Sequence, residues 1–368
     1  MERTKGSMSA HFKHITRSLL KKPLAFAGMC FILLCVFVSI FAYQFAPDNS
    51  PNGDLQTVEI QAKPPGFSQQ FLLTSSNIPQ RSGLSTFFTG TPSTCTYIPV
   101  TGFTIERNGI SVRRYIDEDT SNIQFFESTR LAFPNNSGKN IIARRFWLGT
   151  DTFGRDILSR LIIGVRISLA VGLIATLVSI LIGVVLGAFA GYYGGKTDAF
   201  IMWLINVTWS IPTLLLVFAI TMAAGKGFWQ IFIAVGLTLW VSVARVVRGE
   251  VRVIRELEYI QAARAIGLRD GRIIFRHILP NITGPLLVLG ASNFATAIII
   301  EAGLSFLGIG VQAPQPSWGL MIRENYTFIV THNPLQAMIP GIAIMLLVLS
   351  FNVLGNALRD TLDVTVTP

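Results

Sequence analysis

The chain has 368 residues, 51% of them hydrophobic and only 14% charged, with a net charge of +10 and a mean hydropathy of +0.52. It is too apolar for a typical soluble protein, and its runs of about 20 apolar residues read as membrane helices. The basic residues cluster beside those runs without forming one continuous face, so they act as a topology signal and no nucleic-acid partner is expected. Cys30 and Cys35 lie in an apolar run and Cys95 in a polar one, so no intrachain disulfide framework is indicated.

Residues 1–23 hold Arg3, Lys5, Lys13, Arg17, Lys21 and Lys22 against Glu2, with Phe12, Ile15, Leu19 and Leu20 at helical spacing. That pattern predicts a cytoplasmic helix lying among the headgroups. Residues 24–46 form the first span. It is a retained anchor rather than a signal peptide, since the run is long and no clean small-residue cleavage site follows. Residues 47–147 are polar and fall outside by alternation. Within them Val100 to Ile116 alternates on both sides of Asn108-Gly109, which predicts a β-hairpin with a type I′ turn. Arg113 and Arg114 read as solvated, with gripping a partner as the sharper alternative.

Residues 148–368 carry the remaining spans. Asp151 is placed to cap the turn after it, and Arg155, Asp156 and Arg160 offer pairing at helical spacing. No nucleophile or metal-type cluster accompanies Asp151 and Asp156, so a catalytic carboxylate pair is not supported. The second span, about Ile167 to Gly191, sets Gly183, Gly187 and Gly191 on one face, where small residues let helices approach closely. Gly195-Lys196-Thr197 invites a phosphate-loop reading. However, Ala190 stands where that loop needs glycine and a membrane helix precedes it, so the chain has no ATP site of its own. The third span, about Phe200 to Ala223, should kink at Pro212. The fourth runs from about Trp229 to Val247.

The next loop, about 248–280, follows Arg245 and holds Arg248, Arg252, Arg255, Arg264, Arg269, Arg272 and Arg276 against Glu250, Glu256, Glu258 and Asp270. This excess places it in the cytoplasm, in agreement with counting spans from the N-terminus. Tyr259 to Asn281 should fold as two short helices. The first closes at Gly267 in a left-handed conformation, and the second runs from Asp270 to Leu279 and is ended by Pro280. The fifth span, about Ile282 to Leu307, carries Asn293, Thr296 and Glu301 as candidates to line the pathway. A carboxylate inside a span usually faces a partner or a wet cavity; the plain alternative for Glu301 is a hydrogen bond to the turn beyond it. Pro314 and Pro316 then impose an external turn, and a last span, about Leu335 to Ala357, returns the C-terminus to the cytoplasm.

Four segments carry a resemblance. Gln261-Ala262-Ala263, Gly267, Leu279 and Pro280 are similar to the EAA loop of ABC importer permeases, with Gln261 in place of glutamate and His277 in place of isoleucine. Leu148-Gly149-Thr150-Asp151, Gly154-Arg155-Asp156 and Ser159-Arg160-Leu161 resemble the opening of the permease core in dipeptide and oligopeptide importers. Leu304-Ser305-Phe306-Leu307-Gly308 with Pro316-Ser317-Trp318-Gly319, and Leu358-Arg359-Asp360, resemble its later segments. The resemblance implies an all-α polytopic fold of six spans, the second, shorter-type permease of a pair. It implies a homologous permease, two cytoplasmic ABC ATPase subunits that hydrolyse the ATP, and an external substrate-binding protein as partners in the inner membrane. No cofactor is implied. Gln261, Ala262, Ala263, Ala265, Gly267, Leu279 and Pro280 would couple to the ATPases. Peptides are the implied cargo, with nickel chelates, glutathione or another small solute as the alternative. The 47–147 insert is not covered.

Overall fold

The computed structural model describes residues 22–76, 83–117, 120–134, 137–225, 227–331 and 334–363. Expectations for residues 1–21, for Lys226 and for residues 364–368 lie outside the described residues.

Among these, five helices are long and apolar enough to cross a membrane, or up to six if one bent pair is a single span. They are α1 (Pro23–Ile40), α2 (Ile157–Tyr193), the bent pair α3 (Gly195–Trp209) and α4 (Thr213–Ala224), α5 (Phe228–Arg255), and then, past the short helices α6 (Glu258–Ala265) and α7 (Asp270–Ile273), α8 (Thr283–Phe306). A short α9 (Trp318–Asn325) precedes the last span, α10 (Pro334–Asp363). At 1.5 Å per residue α1 is about 27 Å long, close to the thickness of a bilayer core. With 37 residues, α2 is about 55 Å long and overruns the core. Its start at Ile157, earlier than hydropathy implies, comes from the polar turn Ser159-Arg160 being paired inside the protein rather than solvated.

The kink expected at Pro212 is a full break: α3 and α4 meet at 93°. Pro212 has no N–H to donate and sits at the N-cap of α4, so the hydrogen-bond ladder cannot cross it.

The chain divides into two compact units. The first comprises 1–35, 168–312 and 343–368. Its packing depends on small residues. A Cβ on Gly183 would lie 2.5 Å from Val243, one on Gly187 2.5 Å from the Ala244 carbonyl oxygen, and one on Gly191 2.8 Å from the Arg248 carbonyl oxygen. Gly236 returns the contact, 2.6 Å from Val178. These glycines let α2 and α5 pack backbone to backbone, as their spacing implied.

The second unit comprises 36–167 and 313–342. It contains an antiparallel sheet in the order β4-β3-β2-β1-β5, built from β1 (Phe67–Ser75), β2 (Cys95–Glu106), β3 (Gly109–Tyr115), β4 (Ser121–Glu127) and β5 (Ile141–Phe146). Period-two alternation splits its side chains. Leu72, Val100, Ile110 and Val112 form one core, and Phe71, Tyr115 and Phe146 another with Ile60. The expected hairpin is β2–β3, but Glu106 pairs with Gly109, so the turn centres on Arg107 and Asn108. Neither Asn108 nor Gly109 has positive φ, which a type I′ turn requires. Gly109 is needed for space instead, since a Cβ there would lie 2.1 Å from the Phe126 carbonyl oxygen of β4.

Candidate functional site

The loop from α5 to α8 folds locally. Helix α6 ends at Ala265 with Ile266 as its C-cap, and Gly267 follows at φ +83° with open space around it. The Gly267 N–H donates to the Arg264 carbonyl at 2.9 Å and the Leu268 N–H to the Ala263 carbonyl at 3.2 Å. This is the Schellman closure, which needs the left-handed residue that Gly267 supplies. Helix α6 buries Ile260 and Ala263 in a core shared with Ile273, Ile274 and Ile278 of the following turns and Val247 and Val251 of α5. Its other face leaves Gln261, Ala262, Ala265 and Gly267 exposed. Beside them stand Ile266, 81% exposed, and Phe275, 72% exposed. Gln261 donates only locally, to the Glu256 carbonyl at 3.0 Å.

The expected second helix is shorter and less regular. α7 stops at Ile273, a π turn covers Ile274–Ile278 and a 3₁₀ turn covers Leu279–Ile282. Pro280 does not end the helical path. It sits early in the 3₁₀ turn, and the Leu279 N–H reaches back to Ile274, so the wider turn absorbs the missing donor before α8 begins. Leu279 is half-buried and Pro280 exposed.

Polar contacts tie this loop to the span ends. Tyr192, near the end of α2, donates its hydroxyl to Asp270 at 2.7 Å. Arg264 donates to the same hydroxyl at 3.3 Å and stacks 4.5 Å from the ring. Arg255 caps the same end through the Gly191 and Tyr192 carbonyls, both at 3.1 Å. Arg248 grips Asp198 of α3 with two nitrogens. A displacement of α6 and α7 therefore bears directly on α2, and α5 is linked in turn to α3.

The intramembrane candidates lie elsewhere in the same unit. Asn293 is buried and donates to Ser179 of α2 at 3.1 Å while accepting from Ser242 of α5 at 3.4 Å. Thr296 is half-buried, its hydroxyl turned onto the Ser292 carbonyl. Glu301 is buried and accepts from Ser305 at 2.6 Å; Ser305 in turn accepts from the Val311 N–H at 3.0 Å.

In the other unit, Asp151 accepts from the N–H groups of Phe153 and Arg155, both at 2.9 Å, capping the turn as its position implied. Arg155 is the hub of a buried ionic cluster. It reaches Asp151 at 2.7 Å, Asp54 at 3.0 Å and Glu324 at 2.7 Å, and Arg160 reaches Glu324 at 2.9 Å. Burial alone would lower the Arg155 pKa, but Asp151 and Glu324 outweigh it and hold the guanidinium above its ordinary range. Burial also pushes the Glu324 carboxyl up, against the pull of Arg160 and Arg155. Asp156 does not pair with Arg160 at helical spacing. It caps α2 through Ser159 instead, and burial raises its pKa. Glu324 and Asp54 escape sequence reasoning because each is remote in the chain from its arginine.

The model of the family described as binding-protein-dependent transport system inner membrane component matches residues 183–367, half of the chain. A model of the N-terminal transmembrane domain of oligopeptide transport permease C matches residues 12–65. Among curated proteins, the chain is 43% identical over 217 residues to the dipeptide transport system permease protein DppC of Alkalihalophilus pseudofirmus, covering 59% of this chain and 71% of the relative. It is 44% identical to the glutathione transport system permease protein GsiD of Pectobacterium atrosepticum, over 59% of this chain and 72% of the relative. The oligopeptide transport system permease protein OppC of Bacillus subtilis is 40% identical over 59% of this chain and 71% of its own length. The matched region takes in the bent pair, α5, the capped loop and the spans after it, and the chain belongs to the binding-protein-dependent transport system inner membrane components.

Proposed function

We propose that this chain is the second, shorter-type permease of an ABC importer for peptides, forming half of the pathway with a homologous permease. Two cytoplasmic ATPases supply the hydrolysis, and an external binding protein delivers the cargo. In this reading both termini and the loop at about 248–280 are cytoplasmic, and the 47–147 insert is external. Residues 148–368 form the permease core.

The observation that carries the reading is the build of the loop. Its inner face is fixed by the Ile260–Ile278 core and the Tyr192–Asp270 and Arg264–Tyr192 contacts. Its outer face presents Gln261, Ala262, Ala265, Ile266 and Gly267 with little side-chain bulk around the glycine. An exposed apolar ridge on a rigid support fits a groove in another protein. ATP-driven closure of the ATPases would push this ridge, and Tyr192 and Arg264 would pass the push to α2. A ligand shifts such an equilibrium only by its differential affinity for the two states. Asn293, Thr296 and Glu301 remain the proposed pathway residues, with Glu301 acting from the buried position it shares with Ser305.

Glutathione is the second reading for the cargo, favoured by the 44% identity to a glutathione permease; nickel chelates or another small solute fit the same architecture. Reconstitution of the whole complex in liposomes tests the proposal. ATP-dependent uptake of dipeptide but not of glutathione supports the main reading, and uptake without ATPases rejects it.

A further inference from the structure

The polar insert contains a short helix, Leu84–Thr89, between Gly83 and Gly90. It packs against the chain where α1 ends. The Phe87 ring meets Phe41 edge-on at 5.8 Å, and Phe41 lies 5.0 Å from Phe37 and 6.5 Å from Phe45. Gly90 presses so close to the first-span exit that a Cβ would lie 2.7 Å from the Tyr43 ring. Arg166 of α2 closes the arrangement from below: it donates to the Phe88 carbonyl at 2.5 Å and sits 5.3 Å from the Tyr43 ring.

The outer side of this assembly is apolar. Phe37, Ile40, Phe45 and Phe88 are each between 46% and 53% exposed. They continue the surface of α1, which is a membrane span by length and composition, so Phe88 stands at the level where that span leaves the bilayer. Ser85, Thr86 and Thr89 give the same short helix a polar side. Arg166 spends its head on the Phe88 carbonyl and the Tyr43 ring, which fixes the short helix beside the span, and long basic side chains and aromatic rings are the usual residues at the acyl–headgroup boundary. Apolar rings on one side of a helix and hydroxyls on the other suit a segment lying in that boundary.

We propose that Leu84–Thr89 is a membrane-interface anchor of the insert, with Phe88 inserted among lipid acyl chains beside Phe45 and Arg166 tying the helix to α2 through the Phe88 carbonyl. The insert is then held to the bilayer at a point remote in sequence from both of its chain connections to the spans.

The test is spin-label accessibility in the assembled complex in nanodiscs of phosphatidylethanolamine and phosphatidylglycerol. Cys30, Cys35 and Cys95 are replaced by alanine, and a nitroxide is placed at Phe88→Cys, with Phe45→Cys as lipid reference and Ile123→Cys, on strand β4, as aqueous reference. The label at 88 is expected to match 45, with collision by oxygen exceeding collision by a water-soluble nickel chelate, and the order reversed at 123. If the Phe88→Cys variant does not assemble, Phe88→Trp, which keeps an aromatic ring at that position, gives the reading: quenching by brominated acyl chains beyond that of the parent protein supports the proposal, and no added quenching overturns it. A label as open to the nickel chelate as that at 123 overturns the proposal. So does a label shielded from both reagents, which would mean that the rings face another protein.

Discussion

Two arginine-rich regions of this molecule use the same residue in opposite ways. Around Arg155 the guanidinium is buried and answered by Asp151, Asp54 and Glu324. In the loop at about 248–280, Arg252, Arg269, Arg272 and Arg276 are exposed, and the apolar Ile266 and Phe275 stand beside them. The first region answers its central charge within its own unit. The second is finished on one side only, as the proposed docking requires. Both belong to motifs equally legible in the sequence, so motif strength does not separate a structural charge cluster from a docking surface; burial does.

The largest effect should come from breaking the complete region. Arg155→Met leaves three acidic groups without their main partner, and removing one member of a buried pair costs about 3–5 kcal/mol. Thermal unfolding of the purified protein should show a large loss of folded material. Arg272→Ala is the matched control in the other region, expected to cost less than about 1 kcal/mol because exposed charges contribute little.

Gly267→Asp should leave insertion and subunit assembly intact while ATP-driven uptake falls at least about tenfold, equivalent to ~1.4 kcal/mol of lost docking. The left-handed φ resists a Cβ, and the new carboxylate stands on the docking face. Normal uptake by this variant would remove the loop's special status. The α2–α5 contact should give an intermediate effect. Gly187→Leu forces a side chain where a backbone oxygen stands at 2.5 Å, and overpacking of this kind costs about 1–3 kcal/mol. A lowered melting temperature with Gly249→Leu, at an open position, unchanged would confirm the close approach. The smallest stability effect is expected from Glu301→Gln, whose amide oxygen still accepts from Ser305. It should alter transport rate or cargo range without affecting assembly, and identical uptake kinetics would retire Glu301 as a pathway residue.

Much of this architecture could be read from local pattern. The spans follow from apolar runs, the α2–α5 contact from glycines four apart, and the loop closure from a single glycine after three alanines and an isoleucine. What escaped depends on residues far apart or on backbone adjustments. Glu324 lies 169 positions from Arg155, so no spacing rule links them. The strands flanking the hairpin were missed because β1 carries Phe71-Leu72-Leu73 in sequence, which blurs the alternation that marks a strand, although the sheet buries both Phe71 and Leu72 on opposite faces. The hairpin turn slipped by one residue because Gly109 answers to space beside Phe126 rather than to positive φ. Pro280 implies a stop by its missing N–H, yet a π turn before it keeps the chain helical.

The central claim is that the outer face of α6 is covered by a nucleotide-hydrolysing partner on the cytoplasmic side. Ala262→Cys, at an exposed position, tests it most directly when inside-out membrane vesicles are treated with a membrane-impermeant maleimide, with and without the ATPase subunits. The account predicts rapid labelling from the cytoplasmic face when the ATPases are absent and protection when they are bound. Labelling only from the opposite face, or labelling indifferent to the ATPases, would contradict it.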